Sequence, residues 1–308
     1  MSRAPEKSVR GRFAPSPTGP LHFGSLVAAL ASYLHAKSRD GEWLVRMEDL
    51  DPPREQPGAA DQILRALEAH GLHWDDAVRY QSRRHHAYEA SLERLRQKNL
   101  VYSCTCSRKD IGAAGEMTKL GPRYPGTCRE HTGLRPDASI RVRTDERGIR
   151  FDDQCQGYIS RRLLSEIGDF VIRRRDGLYA YQLAVVVDDA DQGITEVVRG
   201  ADLLDSTPRQ IYLQQLLGLW TPAYLHIPVA TSGLGHKLSK QTGSRPVDLA
   251  RPVATLVDAL AFLGQHPPAG LRDASVADVR SWALAHWAAA ALPPKRMIPY
   301  DETPAASK

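Results

Sequence analysis

Two stretches that lie more than two hundred residues apart carry side chains able to handle a nucleotide. His22, Gly24 and Ser25 come directly before an apolar stripe at helical spacing, so they should lie at a helix N-terminus. Free backbone N–H groups and the helix dipole favour phosphate at such a place. Lys237 and Lys240 lie three residues apart in a Gly- and Ser-flanked loop and can close on a polyphosphate from the opposite side. Taken alone, these stretches also fit a capped βα loop and a solvated surface loop.

Acidic residues follow the second apolar run of the chain. The run 43–48 is typical of a buried strand, and Glu48, Asp49 and Asp51 come at its end. Acidic residues at the carboxyl end of a parallel strand face the crevice in which ligands bind in open α/β sheets. The alternative is a solvated acidic turn in which Asp51 caps the next helix. Both interpretations stay open on these residues alone.

Three cysteines form a candidate metal site. Cys104 and Cys106 are separated by one residue, and Cys128 follows a glycine in a segment rich in Gly, Pro, Lys and Arg. A structural zinc ion takes four ligands, so either Tyr124 or Cys155 would complete the set. Because this polar segment has no apolar core of its own, a bound ion could fold it. The alternative is a group of reduced cysteines without a metal.

Strands and helices alternate in the first hundred residues, which predicts a doubly wound parallel α/β sheet. The segment 101–179 breaks this alternation and is predicted to be a smaller α+β insertion. The run 182–189 contains five consecutive apolar residues and is predicted to be a central strand buried on both faces. The patterns predict further strands at 8–14, 140–144, 169–173, 194–200 and 224–230, and helices at 26–36, from 59, at 85–98, from 206 and after 247.

The composition is that of a globular chain with a substantial core, because 42% of the 308 residues are hydrophobic and 25% are charged. A net charge of +5 mildly favours a polyanionic partner. No apolar run is long enough to span a membrane, and the N-terminus has no apolar signal core. Four cysteines without a secretion signal indicate a reducing compartment, so we expect a cytoplasmic protein. We also expect a monomer.

The two nucleotide-handling stretches together resemble the paired signatures of the class I aminoacyl-tRNA synthetases. The stretches 12–19 and 46–51 are similar to the catalytic core of the glutamyl-tRNA synthetases, and the likeness extends from about Arg10 to Gln241. The resemblance implies a Rossmann-type core that binds ATP together with Mg²⁺. In the second signature, Gln241 stands where the family has serine, but Lys240 is retained.

The resemblance also assigns roles by position. It implies that glutamate is bound by Arg12, Phe13, Ala14, Pro15, Ser16, Glu48, Tyr181 and Arg199. It implies that ATP is bound by His22, Gly24, Ser25 and Lys240, with His22, Lys237 and Lys240 in catalytic roles. It implies that one structural zinc ion is held by Cys104, Cys106, Tyr124 and Cys128, which chooses Tyr124 over Cys155. One acid and two arginines match the ammonium and two carboxylates of glutamate, and arginine suits a carboxylate better than an amide.

Only about 67 residues follow Gln241, where full-length glutamyl-tRNA synthetases carry large anticodon-binding domains. In this respect the chain resembles the truncated paralogues, the glutamyl-queuosine tRNA(Asp) synthetases. That resemblance implies activation of L-glutamate by ATP without tRNA, then transfer to the queuosine base in the anticodon loop of tRNA(Asp). The alternatives are a conventional glutamyl-tRNA synthetase that charges the 3′ end and a non-catalytic tRNA-binding module.

The expected domain organisation follows from the same resemblance. Residues 1–100 would form the first half of the catalytic domain, and 101–179 the insertion with the zinc site and an acceptor-binding surface. Residues 180–241 would form the second half, ending in the lysine loop. Residues 242–308 would form a short helical segment without an anticodon-binding domain.

Overall fold

A computed structural model describes residues 8–131, 133, 135–232 and 245–300 of the chain. Its first part alternates strands and helices as expected. The elements are β1 (Arg10–Phe13), α1 (Phe23–Lys37), β2 (Glu42–Met47), α2 (Ala59–Ala69), β3 (Arg79–Tyr80) and α3 (His85–Gln97). The strands β1, β2 and β3 pair in parallel in that order. Helix α1 buries Leu26, Leu30 and Leu34 completely or nearly so, which is the apolar stripe that the spacing predicts.

The middle of the chain leaves this alternation. Its elements are β4 (Val101–Cys104), α4 (Arg108–Ala114), β5 (Met117–Thr118), β6 (Gly121–Pro122), β7 (Ser139–Val142), β8 (Gly148–Asp153), β9 (Gly157–Arg162), α5 (Leu163–Glu166) and β10 (Phe170–Arg173). Strands β10, β7 and β4 form a small antiparallel sheet. The β8–β9 hairpin is not part of that sheet, because Asp153 at its tip pairs in parallel with Tyr224 of the later chain.

The last part returns to parallel pairing. Its elements are α6 (Tyr181–Asp191), β11 (Glu196–Gly200), α7 (Thr207–Leu217), β12 (Ala223–Ile227), β13 (Val229–Thr231), α8 (Pro252–Phe262), α9 (Val276–His286) and β14 (Met297–Pro299). Strands β11 and β12 pair in parallel along their whole length. The backbone N–H of Thr195 donates to the carbonyl of Arg10 at 2.9 Å, which brings β11 beside β1. The parallel α/β core predicted from the sequence is thereby confirmed.

One predicted strand is wrong. The run 182–189 lies in helix α6, not in a central strand. Seven consecutive residues of this helix, from Leu183 to Asp189, are buried, so the helix is enclosed on every side. The sequence of a helix that is buried on all sides has no amphipathic period. A short apolar run from such a helix therefore has the same pattern as a buried strand. Packing overrides the preference of Val185, Val186 and Val187 for strands.

Two buried clusters hold the elements together. The first joins α1 and the β1–β2 sheet to the C-terminal helices α8 and α9. The second joins α3, α6 and α7 to the antiparallel sheet of the middle segment. Among the described residues, no helix has the length and apolar character needed to cross a bilayer. The domain boundaries at 100, 179 and 241 stay predictions.

Candidate active site and metal centre

A cavity of about 440 Å³ opens where β1 ends and α1 begins. The carboxyl ends of β2 and β11 and the strand β13 form its other walls. It brings together the predicted glutamate and ATP residues Arg12, Phe13, Ala14, Pro15, Ser16, His22, Gly24, Ser25, Glu48, Tyr181 and Arg199. The predicted catalytic residues Lys237 and Lys240 lie outside the described residues. Every predicted glutamate or ATP residue that the structure describes therefore lines one cavity.

The N-terminus of α1 forms the end of the cavity suited to phosphate. His22 is the N-cap residue, and its Nδ1 accepts the backbone N–H of Ser25 at 3.3 Å. The His22 Nε2 lies 2.8 Å from the Ser25 hydroxyl oxygen. The loop before the helix is tied to β2, because the backbone N–H of Glu48 donates to the carbonyl of Pro15 at 2.9 Å. The helix N-terminus and the predicted amino-acid pocket are therefore held at a fixed spacing.

The described residues on either side of the lysine loop are anchored at this cavity. On one side, Val229 and Ala230 of β13 line the cavity wall. On the other side, Pro246 pairs with His22 as an isolated antiparallel bridge. The backbone N–H of Val247 donates to the carbonyl of Leu21 at 2.9 Å. The described chain therefore lies at the cavity shortly before residue 233, and beside His22 shortly after residue 244.

Two residues that line the cavity, Arg12 and Glu48, belong to a buried network that Arg46 and Asp189 complete behind it. Arg12 donates to both Asp189 carboxylate oxygens, at 3.1 and 3.4 Å. Arg46 lies 2.8 Å from Asp189 and 3.4 Å from Glu48. Burial alone would raise the pKa of Asp189, but Arg12 and Arg46 outweigh it and hold the pKa below its usual range. A third carboxylate borders the network, because Asp188 lies 4.0 Å from Arg46.

Glu48 differs from Asp189 although both belong to this network. Burial raises the pKa of Glu48, against the lowering effect of Arg46 and Arg12. Its carboxylate is therefore costly to keep ionised and would gain from a further positive charge. An ammonium group placed in the cavity supplies that charge.

Arg199 has a different set of partners. Its guanidinium donates to His226 Nε2 at 3.0 Å and to the Tyr181 hydroxyl at 3.1 Å. It also donates to the Thr207 hydroxyl at 2.8 Å and to the Gln210 side-chain oxygen at 2.7 Å. All four partners are uncharged in these roles, and Arg199 is only 5% exposed. Among the described residues, no ion pair joins Arg199 to a carboxylate, so its charge is available to an anionic ligand.

The residues that complete these contacts were not predicted from the sequence. Arg46 lies in an apolar strand and Asp189 in a run predicted to be a strand, so neither had an expected partner. A charged residue inside a buried strand does carry a signal, because it needs a buried counter-charge. His226 in β12 carries a related signal, because a buried polar side chain needs hydrogen-bond partners.

The three predicted cysteine ligands converge. The Sγ atoms of Cys104, Cys106 and Cys128 all lie within 4.8 Å of one another. The distance between Cys106 Sγ and Cys128 Sγ is 3.6 Å, close to the separation of about 3.8 Å that two thiolates have on a tetrahedral zinc ion. The Tyr124 hydroxyl lies 3.3 Å from Cys104 Sγ and 3.9 Å from Cys106 Sγ. The donor set fits a metal ion of the zinc type.

Cys155 lies elsewhere. Its thiol donates to the backbone carbonyl of Pro293 at 3.4 Å, and its side chain packs against the cluster that contains α1 and α8. Tyr124 packs with Cys104, Cys106 and Cys128 in a small cluster of its own, with the Arg141 guanidinium 3.9 Å from the centre of its ring. Of the two candidates for a fourth ligand, Tyr124 is the one at the site.

The fold and the cavity define a class I synthetase catalytic domain, and known proteins agree. Residues 8–257 match the family model described as tRNA synthetases class I (E and Q), catalytic domain. The chain is similar to the glutamyl-Q tRNA(Asp) synthetase of Pseudomonas fluorescens Pf-5, with 55% identity over 299 residues, 97% of this chain and 98% of that protein. It is similar to the protein of the same name from Dechloromonas aromatica, with 55% identity over 94% of this chain and 97% of that one. The chain belongs to the glutamyl-Q tRNA(Asp) synthetase family.

Solved structures extend the likeness to larger synthetases. The glutamate-tRNA synthetase from Elizabethkingia anophelis superposes with a TM-score of 0.79 at 25% identity. The superposition covers 96% of this chain and 68% of that one. A glutamate tRNA ligase from Elizabethkingia meningosepticum, solved in complex with its amino acid, gives a TM-score of 0.77 at 26% identity. The resemblance to this group of synthetases is confirmed for the fold.

Proposed function

We propose that this protein activates L-glutamate with ATP to form glutamyl-adenylate without tRNA, and then transfers the glutamate to the queuosine base of tRNA(Asp). The observation that carries the proposal is the single cavity in which Arg12, Glu48 and Arg199 lie beside the His22 helix N-terminus. Glu48 suits an ammonium group, Arg199 has no carboxylate partner and suits a side-chain carboxylate, and the helix end suits a nucleotide phosphate. The names of the relatives that share more than half of its residues point to the same reaction.

In the first step, an oxygen of the glutamate α-carboxylate attacks the α-phosphorus of ATP. The bond between the α-phosphorus and the bridging oxygen breaks, and pyrophosphate leaves. Glu48 would hold the α-ammonium group, while Arg199 and Tyr181 would hold the side-chain carboxylate. Positioning and neutralisation of charge carry this kind of catalysis, since the protein supplies no covalent intermediate. His22, Lys237 and Lys240 would stabilise the phosphate charge, and Mg²⁺ bound with ATP would supply further positive charge for the same purpose.

In the second step, a hydroxyl of the queuosine cyclopentenediol attacks the activated carbonyl carbon. AMP leaves, and an ester joins glutamate to the modified base. Arg161, Arg162 and the arginines at 173–175 are candidates for contacts with tRNA phosphates. A second cavity, in the middle segment, supports contacts with tRNA phosphates. Its lining includes four arginines: Arg135, Arg173, Arg174 and Arg175.

The most direct test of this function is a glutamate-transfer assay with altered acceptors. tRNA(Asp) that carries queuosine but lacks its 3′-terminal adenosine should still accept radiolabelled glutamate. tRNA(Asp) with guanosine in place of queuosine should not accept it. Charging of tRNA(Glu) at its 3′ end, with none of queuosine-containing tRNA(Asp), would overturn the proposal in favour of a conventional glutamyl-tRNA synthetase. Failure of every acceptor and of adenylate formation would favour a non-catalytic tRNA-binding module.

We further propose that Cys104, Cys106, Tyr124 and Cys128 hold one structural zinc ion. The convergence of the three thiols and the Tyr124 hydroxyl supports this set. A bound ion would tie β4 to the polar chain that follows it, where the described residues form only a small cluster around the cysteines.

The zinc proposal predicts about one equivalent of zinc in the purified protein. Cys128→Ser should lose this metal, because one of the thiolate ligands is removed. Cys155→Ser is the matched control and should keep it, since Cys155 contacts Pro293 and not the cluster. Both can be checked by elemental analysis of protein purified without chelator. Retention of zinc in Cys128→Ser, or its loss in Cys155→Ser, would contradict the ligand set.

The environment of Glu48 predicts how glutamate binding depends on pH. Only the ionised carboxylate can pair with the α-ammonium group, and burial raises the pKa of Glu48. The KM for glutamate in ATP–pyrophosphate exchange should therefore rise as pH falls, beginning at a higher pH than for an ordinary carboxyl group. Glu48→Gln should raise this KM at neutral pH and remove the acid-side dependence. The same pH profile in both proteins would contradict the role of Glu48.

A further inference from the structure

We propose that His226 and Asp153 are positioning residues that fix the donor pattern of Arg199 and so make the pocket selective for a carboxylate. This inference rests on the proposed binding of glutamate by Arg199. Neither residue lines the cavity, and neither was singled out by the sequence. They act through Arg199 and not on the substrate.

The three side chains form a buried chain of hydrogen bonds. Asp153 Oδ2 lies 2.6 Å from His226 Nδ1, and His226 Nε2 accepts from Arg199 Nε at 3.0 Å. The side chains of Asp153 and His226 are completely buried. The other carboxylate oxygen, Oδ1, accepts the backbone N–H groups of His226, Cys155 and Gln156 at 2.8 to 3.1 Å. The carboxylate is therefore fixed at the tip of the β8–β9 hairpin.

This chain permits only one arrangement of protons. Arg199 Nε carries a hydrogen and can only donate, so His226 Nε2 must offer a lone pair. The ionised Asp153 can only accept, so the hydrogen of the imidazole is on Nδ1. Burial, assisted by the charge of Arg199, lowers the pKa of His226 to about 4, so the ring is neutral near pH 7. Asp153 therefore determines which nitrogen of His226 accepts from Arg199, although Asp153 does not itself contact Arg199.

The neutral ring has a consequence for selectivity. The ring accepts a hydrogen bond from the Arg199 guanidinium, as a carboxylate would. Because the ring carries no negative charge, it does not neutralise the positive charge of Arg199. The other hydrogen bonds of Arg199, with Tyr181, Thr207 and Gln210, are also to uncharged groups, and its guanidinium lies 5.6 Å from the centre of the Tyr224 ring. Asp153 orients the ring from the far side without touching Arg199. The pocket therefore keeps a fixed and uncompensated guanidinium, which a carboxylate can pair with and a carboxamide cannot.

Asp153→Asn tests this inference with almost no change of shape. The asparagine oxygen can keep the three backbone hydrogen bonds, but its NH₂ group faces His226 Nδ1. The imidazole hydrogen must then move to Nε2, where it opposes the Arg199 Nε–H. A misplaced tautomer and one unpaired buried donor should raise the KM for glutamate about 10- to 100-fold. The KM for ATP should stay within about twofold, since the helix N-terminus is untouched.

Two further measurements separate positioning from a general loss of structure. The ¹⁵N chemical shifts of His226 should show an Nδ1–H tautomer in the wild type and an Nε2–H tautomer in Asp153→Asn. Asp169→Asn is the matched control, because Asp169 is a buried carboxylate that bonds Tyr102 and Thr144 away from the cavity. It should leave the KM for glutamate unchanged.

A second pair of variants covers the case in which Asp153→Asn does not fold. His226→Gln restores an oxygen acceptor opposite Arg199 and should keep the KM for glutamate within about threefold, whereas His226→Leu has no acceptor and should raise it about 10-fold or more. Equal values for this pair, or an unchanged KM in Asp153→Asn, would overturn the inference. An equal loss for ATP and glutamate would overturn it as well. Absence of glutamate-dependent exchange in the wild type would instead refute the proposed function, while the tautomer measurement would still stand.

Discussion

Replacing Arg199 with alanine is expected to raise the KM for glutamate in ATP–pyrophosphate exchange by about 10²- to 10³-fold. Arg199 is buried, and its four uncharged partners leave its charge for the substrate. Removal of a buried charge that pairs with a ligand carboxylate costs about 2–5 kcal/mol, because the other charge is left unpaired. Steady-state exchange over a wide range of glutamate concentration measures this change.

Arg199→Lys is the matched variant for this prediction. Lysine keeps the positive charge but loses the planar fork that engages Tyr181 and His226 together, so an intermediate KM is expected. The KM for ATP should not change in either variant. An Arg199→Ala protein that remains folded and has a wild-type KM for glutamate would remove Arg199 from the pocket. A thermal unfolding scan must accompany the assay, because the substitution leaves Thr207 and Gln210 without their donor.

Replacing Lys240 with alanine is expected to lower the kcat of exchange by about 10²- to 10³-fold. The lysine of the second class I signature is expected to stabilise negative charge that develops on the phosphates during the displacement. Such an interaction is made chiefly in the transition state, so kcat should fall more than the affinity for ATP. Lys240 lies outside the described residues, but the chain on both sides of its loop is anchored at the cavity.

Lys109→Ala is a suitable control for the Lys240 variant. Lys109 is an exposed lysine of α4 and has no place in the cavity, so its removal should leave exchange without tRNA unchanged. Both variants should unfold at nearly the wild-type temperature. A Lys240→Ala protein with wild-type kcat would show that the loop does not take part in adenylate formation.

The structural positions of residues that belong to one short sequence pattern could be predicted from the sequence. The position of His22 at a helix start was predicted because an apolar stripe at helical spacing follows it directly. The convergence of Cys104, Cys106 and Cys128 was predicted from their spacing and from the lack of a core around them. In each case the chemistry lies within one local segment, which sequence reasoning handles well.

Residues that depend on packing were not predictable in this way. Helix α6 was assigned to a strand because its enclosure by other elements removes the amphipathic pattern. That error hid the contact of Asp189 with Arg12 and Arg46, since the partners come from three distant segments. The spacing of the cysteines left both Tyr124 and Cys155 open as the fourth ligand, and only the family resemblance chose Tyr124. In the folded chain the Tyr124 hydroxyl lies 3.3 Å from Cys104 Sγ. His226 and Asp153 meet only because the β8–β9 hairpin joins the edge of the parallel sheet.

Glutamate-dependent ATP–pyrophosphate exchange in the complete absence of tRNA tests the central claim most directly. It asks whether one cavity with a helix N-terminus, two arginines and a buried glutamate activates a dicarboxylic amino acid. We predict exchange with glutamate, and kcat/KM values at least about 100-fold lower with glutamine and aspartate, because the first lacks the charge and the second the length to reach Arg199. No exchange with glutamate, or exchange with glutamine at an equal rate, would contradict the account.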